Sequence, residues 1–231
     1  MKHQPESENE CDLSGFELFK KLTEPEFLSL NYEKTCLQYK RGSIIYEEGS
    51  RLTGFYCITK GVVKILKTGT DGKEQIIRFA KKGDIIAYRS LLSQELACTT
   101  AKVIDDAILC HIPYQTLLFL IKNNWEFSLH MLQIVCKELG DANDFITDIA
   151  QKTAKERLAE ILLLLKENFA LDNENTLQIS LTREELANIV GTATESVIRL
   201  LSEFKQEQLI DLDGRKIKII NIPGLLRVAN L

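Results

Sequence analysis

Residues 189–201 read IVGTATESVIRLL, two apolar stubs separated by Gly191 and a run of small hydroxyl residues. Just upstream, Thr182 and Glu185 stand in the S/T-x-x-E spacing that starts a helix, and a glycine directly after Val190 is the residue type that ends one in left-handed backbone. Thr192 to Thr194 then offer the next N-cap, with Glu195 inside the first turn. The stretch therefore reads as helix, tight turn, helix. On the second helix Val197, Leu200, Leu201 and Phe204 recur at helical spacing, which leaves Thr194, Glu195, Ile198 and Arg199 on the opposite side. In a DNA major groove such a face has chemistry to do: Arg donates two hydrogen bonds to guanine O6 and N7, and Glu accepts one from cytosine N4. The plain alternative is a solvated helix with an i, i+4 Glu–Arg pair worth about 0.3–0.5 kcal/mol, and on spacing alone that is the simpler reading.

The flanks extend the pattern. Downstream, LIDLDGRKIKII predicts a β-hairpin around Asp213-Gly214 that ends the regular structure. Upstream, Thr153 and Glu156 form another capping box, starting a helix whose apolar run LAEILLLLKENF is wide enough to be buried in a second core. A domain boundary is expected near residues 150–153. Before it, Leu132, Val135, Leu139, Ala142, Ile146 and Ile149 follow the 3-4-3-4-3 spacing of a coiled-coil seam. Two readings stay open there: a parallel homodimer helix, or a helix laying its stripe on its own barrel. Pro113 is expected to end the β-texture and start the helical stretch. From Thr35 to Ile112 the sequence is a series of short β-branched and aromatic runs (GFYCIT, VVKILK, EQIIRFA, TTAKVI) interrupted by seven glycines, with Asp71-Gly72 as a hairpin signal; this predicts a sandwich or small barrel. Two short helices should precede it, capped at Ser14/Glu17 and Thr23/Glu26, with Pro25 in the first turn of the second.

Composition excludes several classes. The 231 residues are 45% hydrophobic and 27% charged, enough for two packed domains. No apolar run approaches the roughly 20 residues that span a bilayer, and the first residues, MKHQPESENECD, are polar and acidic where a signal peptide would be apolar, so a cytosolic protein is expected. A net charge of −4 argues against a non-specific nucleic-acid binder while leaving room for a local basic face. Six cysteines (Cys11, Cys36, Cys57, Cys98, Cys110, Cys136) are scattered without a CxxC pair, so neither a disulfide framework nor a clustered zinc site is indicated, and most are expected to be small buried hydrophobes. A metal-dependent jelly-roll enzyme fails on ligand supply: His3, His111 and His130 form no HxH-type pair with a nearby carboxylate.

LTREELANIVGTATESVIRLLSEFKQEQLI followed by a hairpin resembles the winged helix-turn-helix of the cyclic AMP receptor protein and fumarate–nitrate regulator (CRP/FNR) family of bacterial transcription regulators. TRxEL, IVG and ExxxR stand in the family's order. Upstream, YKRGSIIYEEGSRLTGFYCITKGVVKILKTGTDGKEQIIRFAKKGDII is similar to the family's cyclic-nucleotide-binding-type barrel, and the helix after Pro113 to its dimerisation helix; the likeness covers residues 14 to about 222. It implies an α+β chain in three parts: a jelly-roll sensing domain over residues 1–122, a dimerisation helix over 123–150 and a winged helix-turn-helix over 151–231. By position, Glu195 and Arg199 match the family's base-reading pair, flanked by Thr194 and Ile198, and Thr182, Arg183 and Ser196 match phosphate contacts. Thr194 stands where the cyclic AMP receptor protein has a third base-reading arginine, which favours a pseudo-palindromic site with TTGA-like half-sites. RNA polymerase is the implied protein partner, and no enzyme activity is implied.

In the cyclic-AMP branch a Gly-Glu pair holds the ribose and an Arg-Ser pair the cyclic phosphate. The matching stretch here, GDIIAYRSLLSQELACTTAKVI, has Ala87 and Tyr88 for the first pair and Cys98 and Thr99 for the second. Arg89 and Ser90 lie beside them. The phosphate's charge partner is missing, so an effector other than cyclic AMP is expected. The cysteine cluster by which the fumarate–nitrate regulator holds an iron–sulfur centre is not matched at the N-terminus, where Cys11 stands alone, and no cofactor is expected. The competing function is a ligand-binding module whose C-terminal helices dock a protein instead of DNA.

Overall fold

The structure, a computed structural model, describes residues 11–231; His3 lies outside them. It divides into two compact units, one ending at Leu139 and one running from Gly140 to Leu231.

In the first unit α1 (Glu24–Glu33) begins as the Thr23/Glu26 spacing predicts, with Pro25 in its first turn and Thr23 N donating to Glu26 Oε2 at 2.8 Å. The expected Ser14/Glu17 box does not form. Ser14 turns back onto Asp12 instead, with both its N and its Oγ donating to that carboxylate, and only a single 3-10 turn, Glu17–Phe19, follows. The strands are β1 (Thr35–Tyr39), β2 (Ile44–Tyr46), β3 (Gly54–Thr68), β4 (Glu74–Lys81), β5 (Ile85–Ile86) and β6 (Thr100–Pro113). They form one antiparallel sheet in the order β1-β6-β3-β4, with β2 on β6 and β5 on β3. The β3–β4 hairpin turns at Asp71-Gly72, where Gly72 has φ +79°.

GFYCIT and VVKILK, which read as two strands, are halves of β3. Its register against β6 slips between Ile58 and Val63. Gly61 sits in that slip at φ +85°, and a Cβ there would stand 2.5 Å from Asp106 O and 2.6 Å from Ala107 Cα. Only glycine fits such backbone at such an approach. The bulge lets one long strand bend, so its two halves serve two cores. Phe55, Cys57, Cys110 and Ile112 pack with Leu30, Leu117, Leu120, Phe127 and Met131 of the helices, while Ile58, Val63, Ile65, Val103 and Leu109 fill the sheet's interior with Tyr39, Tyr46 and Ile86.

Pro113 ends β6 and caps α3 (Tyr114–Asn123). Asn124 breaks the helix and starts α4 (Trp125–Gln151): its Oδ1 accepts from Phe127 N at 2.9 Å, and its Nδ2 donates to Glu26 Oε2. The predicted seam lies along α4 and faces solvent, with Leu132, Leu139 and Ile146 each 60% or more exposed. Cys36 and Cys110, directly opposite each other on β1 and β6, are joined in a disulfide, contrary to the expectation of isolated cysteines. A pair 74 residues apart becomes adjacent only once the strands are registered, which spacing does not reveal.

The second unit holds α5 (Ala154–Phe169), α6 (Arg183–Val190), α7 (Thr194–Gln206), the hairpin β7 (Ile210–Asp213) to β8 (Lys216–Ile219), and α8 (Ile222–Ala229). The hairpin turns at Gly214 as expected, but it does not end the regular structure. Asn221 caps α8 by accepting from Gly224 N at 2.8 Å, and Pro223 lies in the first turn. Leu225 and Ala229 of α8, Leu158 and Leu162 of α5, Leu186 and Val190 of α6, and Val197, Leu200, Leu201 and Phe204 of α7 are all buried.

Candidate nucleic-acid interface

The α6–α7 corner is built as the sequence reads, with one change. Thr182 Oγ1 accepts from Glu185 N at 3.0 Å while Glu185 Oε2 accepts from Thr182 N at 2.9 Å, a reciprocal cap that fixes where α6 begins. Gly191 ends it at φ +70°, with its N–H on Ala187 O. The next N-cap falls on Ala193, not on a hydroxyl residue, and no side chain caps α7. Its first-turn N–H groups therefore point outward with the positive end of the helix dipole, an arrangement that favours an anion.

Arg157, which carries no local sequence signal, holds the corner. Its Nε donates to Val190 O at 2.9 Å, NH2 to Gly191 O at 3.3 Å and NH1 to Lys152 O at 2.6 Å. It ties the orphan carbonyls at the end of α6 to the start of α5, setting the angle at which α7 leaves.

On α7 the buried stripe leaves Glu195, Ile198 and Arg199 exposed, with Thr194 and Ser196 half-buried on the first turn. Ile198 is 49% exposed between the two charged residues. Arg199 does not pair with Glu195. Its NH1 lies 2.8 Å from Glu203 Oε1, one turn further along, where it is free to swing because it is 68% exposed at the side chain. Arg183, at the first position of α6, sends NH2 to Gly214 O at 2.8 Å, and its NH1 is buried without a hydrogen-bond partner. Burial lowers the guanidinium pKa from its ordinary value. Arg183 thus connects α6 to the hairpin turn, and Thr182 caps the helix beside it.

The effector-pocket candidates all lie in the first unit, on and around a short helix. Ala87, at φ +73°, turns the chain into the short helix α2 (Tyr88–Leu92). Ser90 is buried and donates to Cys98 Sγ at 3.1 Å while accepting from Cys98 N. Tyr46 Oη lies 3.5 Å from Thr99 Oγ1. The Tyr88 side chain is buried, and its hydroxyl finds no well-formed hydrogen bond; burial first, and then the neighbouring Glu138 carboxylate, raise its pKa and keep it protonated. Arg89 is exposed. The cation beside Tyr88 is instead the half-buried Arg78 of β4, whose NH2 lies 3.0 Å from Glu138 Oε1 of α4 and donates to Ile85 O. Sequence reading missed Arg78 because a charged residue in a strand reads as solvent-facing.

A bent antiparallel β-domain followed by a helix-turn-helix whose second helix shows a polar face defines a two-part chain. Comparison with known proteins agrees: the cyclic nucleotide-binding domain matches residues 36–124 and the Crp-like helix-turn-helix domain residues 156–228. The chain belongs to the CRP/FNR family of transcription regulators, a family of DNA-binding proteins and not of enzymes. It is 25% identical over 223 residues to the transcriptional activator protein FnrA of Stutzerimonas stutzeri, covering 95% of this chain and 91% of that one. It is 26% identical over 192 residues to the fumarate and nitrate reduction regulatory protein of Escherichia coli K12, covering 82% and 76%. Among solved structures, a putative regulator of this family from Eubacterium rectale superposes with TM-score 0.79 at 20% identity, covering 94% of this chain and 99% of that one. FixK2 of Bradyrhizobium japonicum gives 0.74 at 24% identity over 84% and 96%. Among the described residues no helix is long and apolar enough to cross a membrane.

Proposed function

We propose that the protein reads DNA as a cytoplasmic homodimer, with Glu195 and Arg199 of each α7 engaging one G·C pair in a TTGA-like half-site of a pseudo-palindrome. Residues 1–122 sense an effector, 123–150 dimerise and 151–231 bind DNA and work with RNA polymerase. The observation that carries the reading is Ile198, a half-exposed apolar residue between two charged ones on a helix whose other face is buried. A major groove supplies both what the charges and what the isoleucine want, since a thymine methyl is an apolar partner. Thr194 stands on the same turn. The uncapped start of α7, with Ser196 beside it, and Arg183 with Thr182 at the start of α6 suit phosphates. A few base pairs per helix give little specificity alone, so a second copy about 34–36 Å away is needed, and the exposed seam from Leu132 to Ile149 is the surface that brings it.

The effector is not cyclic AMP on this reading. Cys98 is committed to Ser90, Tyr88 is a protonated phenol where a ribose-binding carboxylate is needed, and neither supplies the charge a cyclic phosphate requires. Docking of the C-terminal helices on a protein is not favoured, because it gives the Glu195–Arg199 spacing no task.

A randomised half-site selection on wild type, Arg199→Ala and Glu195→Ala tests this. Arg199→Ala is expected to lose about 1–3 kcal/mol of discrimination at one G·C pair per half-site, relaxing specificity more than overall binding, and Glu195→Ala to broaden the same position. An unchanged base preference in Arg199→Ala returns α7 to a solvated helix with an exposed ion pair.

A further inference from the structure

Three sulfurs meet at one edge of the first unit. Cys36 of β1 and Cys110 of β6 face each other across the strand pair, and Cys11, 25 residues before Cys36 in the chain, brings its Sγ to within 4.8 Å of both. Cys110 is fully buried, and Cys11 and Cys36 are half-buried. None of the three lies on the proposed DNA-reading face or among the residues around Tyr88.

We propose that, with its thiols reduced, the protein binds one thiophilic metal ion through Cys11, Cys36 and Cys110. Two features beyond proximity point to it. The donor set is all sulfur, which selects soft or borderline cations such as Zn²⁺, Cd²⁺ or Cu⁺ over Mg²⁺ or Ca²⁺. Three thiolates around a divalent ion leave a net charge of −1, and a cation stands ready beside them: Lys34 Nζ donates to Cys11 O at 2.6 Å and to Asn31 Oδ1 at 2.7 Å. That lysine, at the end of α1 and directly before β1, pins the backbone of the Cys11 ligand to the rim of the sheet. It acts as a positioning residue for the ligand as well as a counter-charge. Cys57 lies across from Cys110 on β3 but stays outside the set, wholly buried in the core.

The disulfide between Cys36 and Cys110 is the competing form of the same site. Its formation removes two protons and two electrons from two of the three ligands, so oxidation and metal binding exclude each other. The ion would also tie the segment before α1 to the sheet, fixing Cys11 to strands 25 and 99 residues further along the chain.

The test uses the full chain reduced with a phosphine and titrated with Cd²⁺, following the ultraviolet thiolate-to-cadmium charge-transfer band, with Zn²⁺ as competitor. One equivalent should bind, with a band of three-thiolate intensity that Zn²⁺ abolishes. Cys11→Ser, at a half-buried position outside the sheet, should lower the band by about a third. It should also weaken binding by about a hundredfold or more, since loss even of an outer partner weakens metal sites about 10–100-fold. Cys36→Ser should do the same, and Cys136→Ser, at an exposed position on α4, should do neither. Treatment with diamide, whose N=N bond takes up the two electrons and two protons, should abolish binding, and phosphine should restore it. No band in the reduced wild type, equal binding by Cys11→Ser, or full binding by the diamide-treated protein would each overturn the proposal.

Discussion

Arg183 can be removed with two separable consequences. Its NH2 donates to Gly214 O at 2.8 Å, joining α6 to the turn of the β7–β8 hairpin, while NH1 is buried with no partner. A hydrogen bond from a charged donor contributes about 1.5–3 kcal/mol; relieving the desolvated NH1 offsets part of this, which leaves about 1–2 kcal/mol for Arg183→Ala. Amides of the hairpin should then exchange with solvent roughly five- to thirtyfold faster, while those of α5 change little. If Arg183 also touches phosphate, each subunit loses one contact, and the slope of log K against log salt should become shallower by about 0.9 per subunit, or about 1.8 for a dimer. Arg183→Lys should keep most of the salt slope and lose most of the hairpin protection, since an ammonium holds the charge without the planar fork. Hydrogen exchange and salt-titrated binding in the three proteins check both. Unchanged hairpin exchange in Arg183→Ala would refute the tie to Gly214, and an unchanged slope would refute the phosphate contact.

Two further outcomes are expected. Leu139 is 62% exposed on α4, so Leu139→Lys should leave the fold intact and give monomers by light scattering, with DNA affinity falling accordingly; a wild type that stays monomeric at micromolar concentration with and without DNA would remove the seam. Burial lowers the pKa of His111, whose Nε2 lies 3.1 Å from Thr53 Oγ1 and whose ring meets the edge of Tyr56. The fold therefore prefers the neutral ring: its contribution is intact above the unfolded value of about 6.5 and is lost as pH falls through the lower folded value. Urea unfolding between pH 7 and 5 should show the first unit weakening on acidification, and His111→Gln should flatten that profile.

What could be read from the sequence is what short-range chemistry decides. Thr23, Thr153 and Thr182 each announce a helix start because the cap closes within three residues, and the Asp-Gly turns announce two hairpins for the same reason. Ser14 shows the limit: the same spacing fails where Asp12 competes for the hydroxyl and the backbone N–H. The start of α8 carries a local signal as well, in Asn221 followed by Pro223 and Gly224, a cap and a first-turn proline directly after the hairpin. The unforeseen features are all long-range. Gly61 reads as an ordinary strand break until β6 is placed against it, and only then does the approach of Asp106 O require a glycine and fuse two apparent strands into one. Arg157 reads as a solvated helix residue until Val190 and Gly191 come within its reach, and Cys11, Cys36 and Cys110 read as strangers until β1 and β6 register. The Glu195–Arg199 pair lies between these cases. Its spacing is local and was legible, yet the structure puts Arg199 on Glu203, the other partner four residues away. Both partners are exposed and the pair is worth only about 0.3–0.5 kcal/mol, so a bidentate contact with guanine outweighs it severalfold. On the proposed reading, Glu203 holds the arginine off Glu195 until a base pair competes for it, which would leave the Glu195 carboxylate open to cytosine.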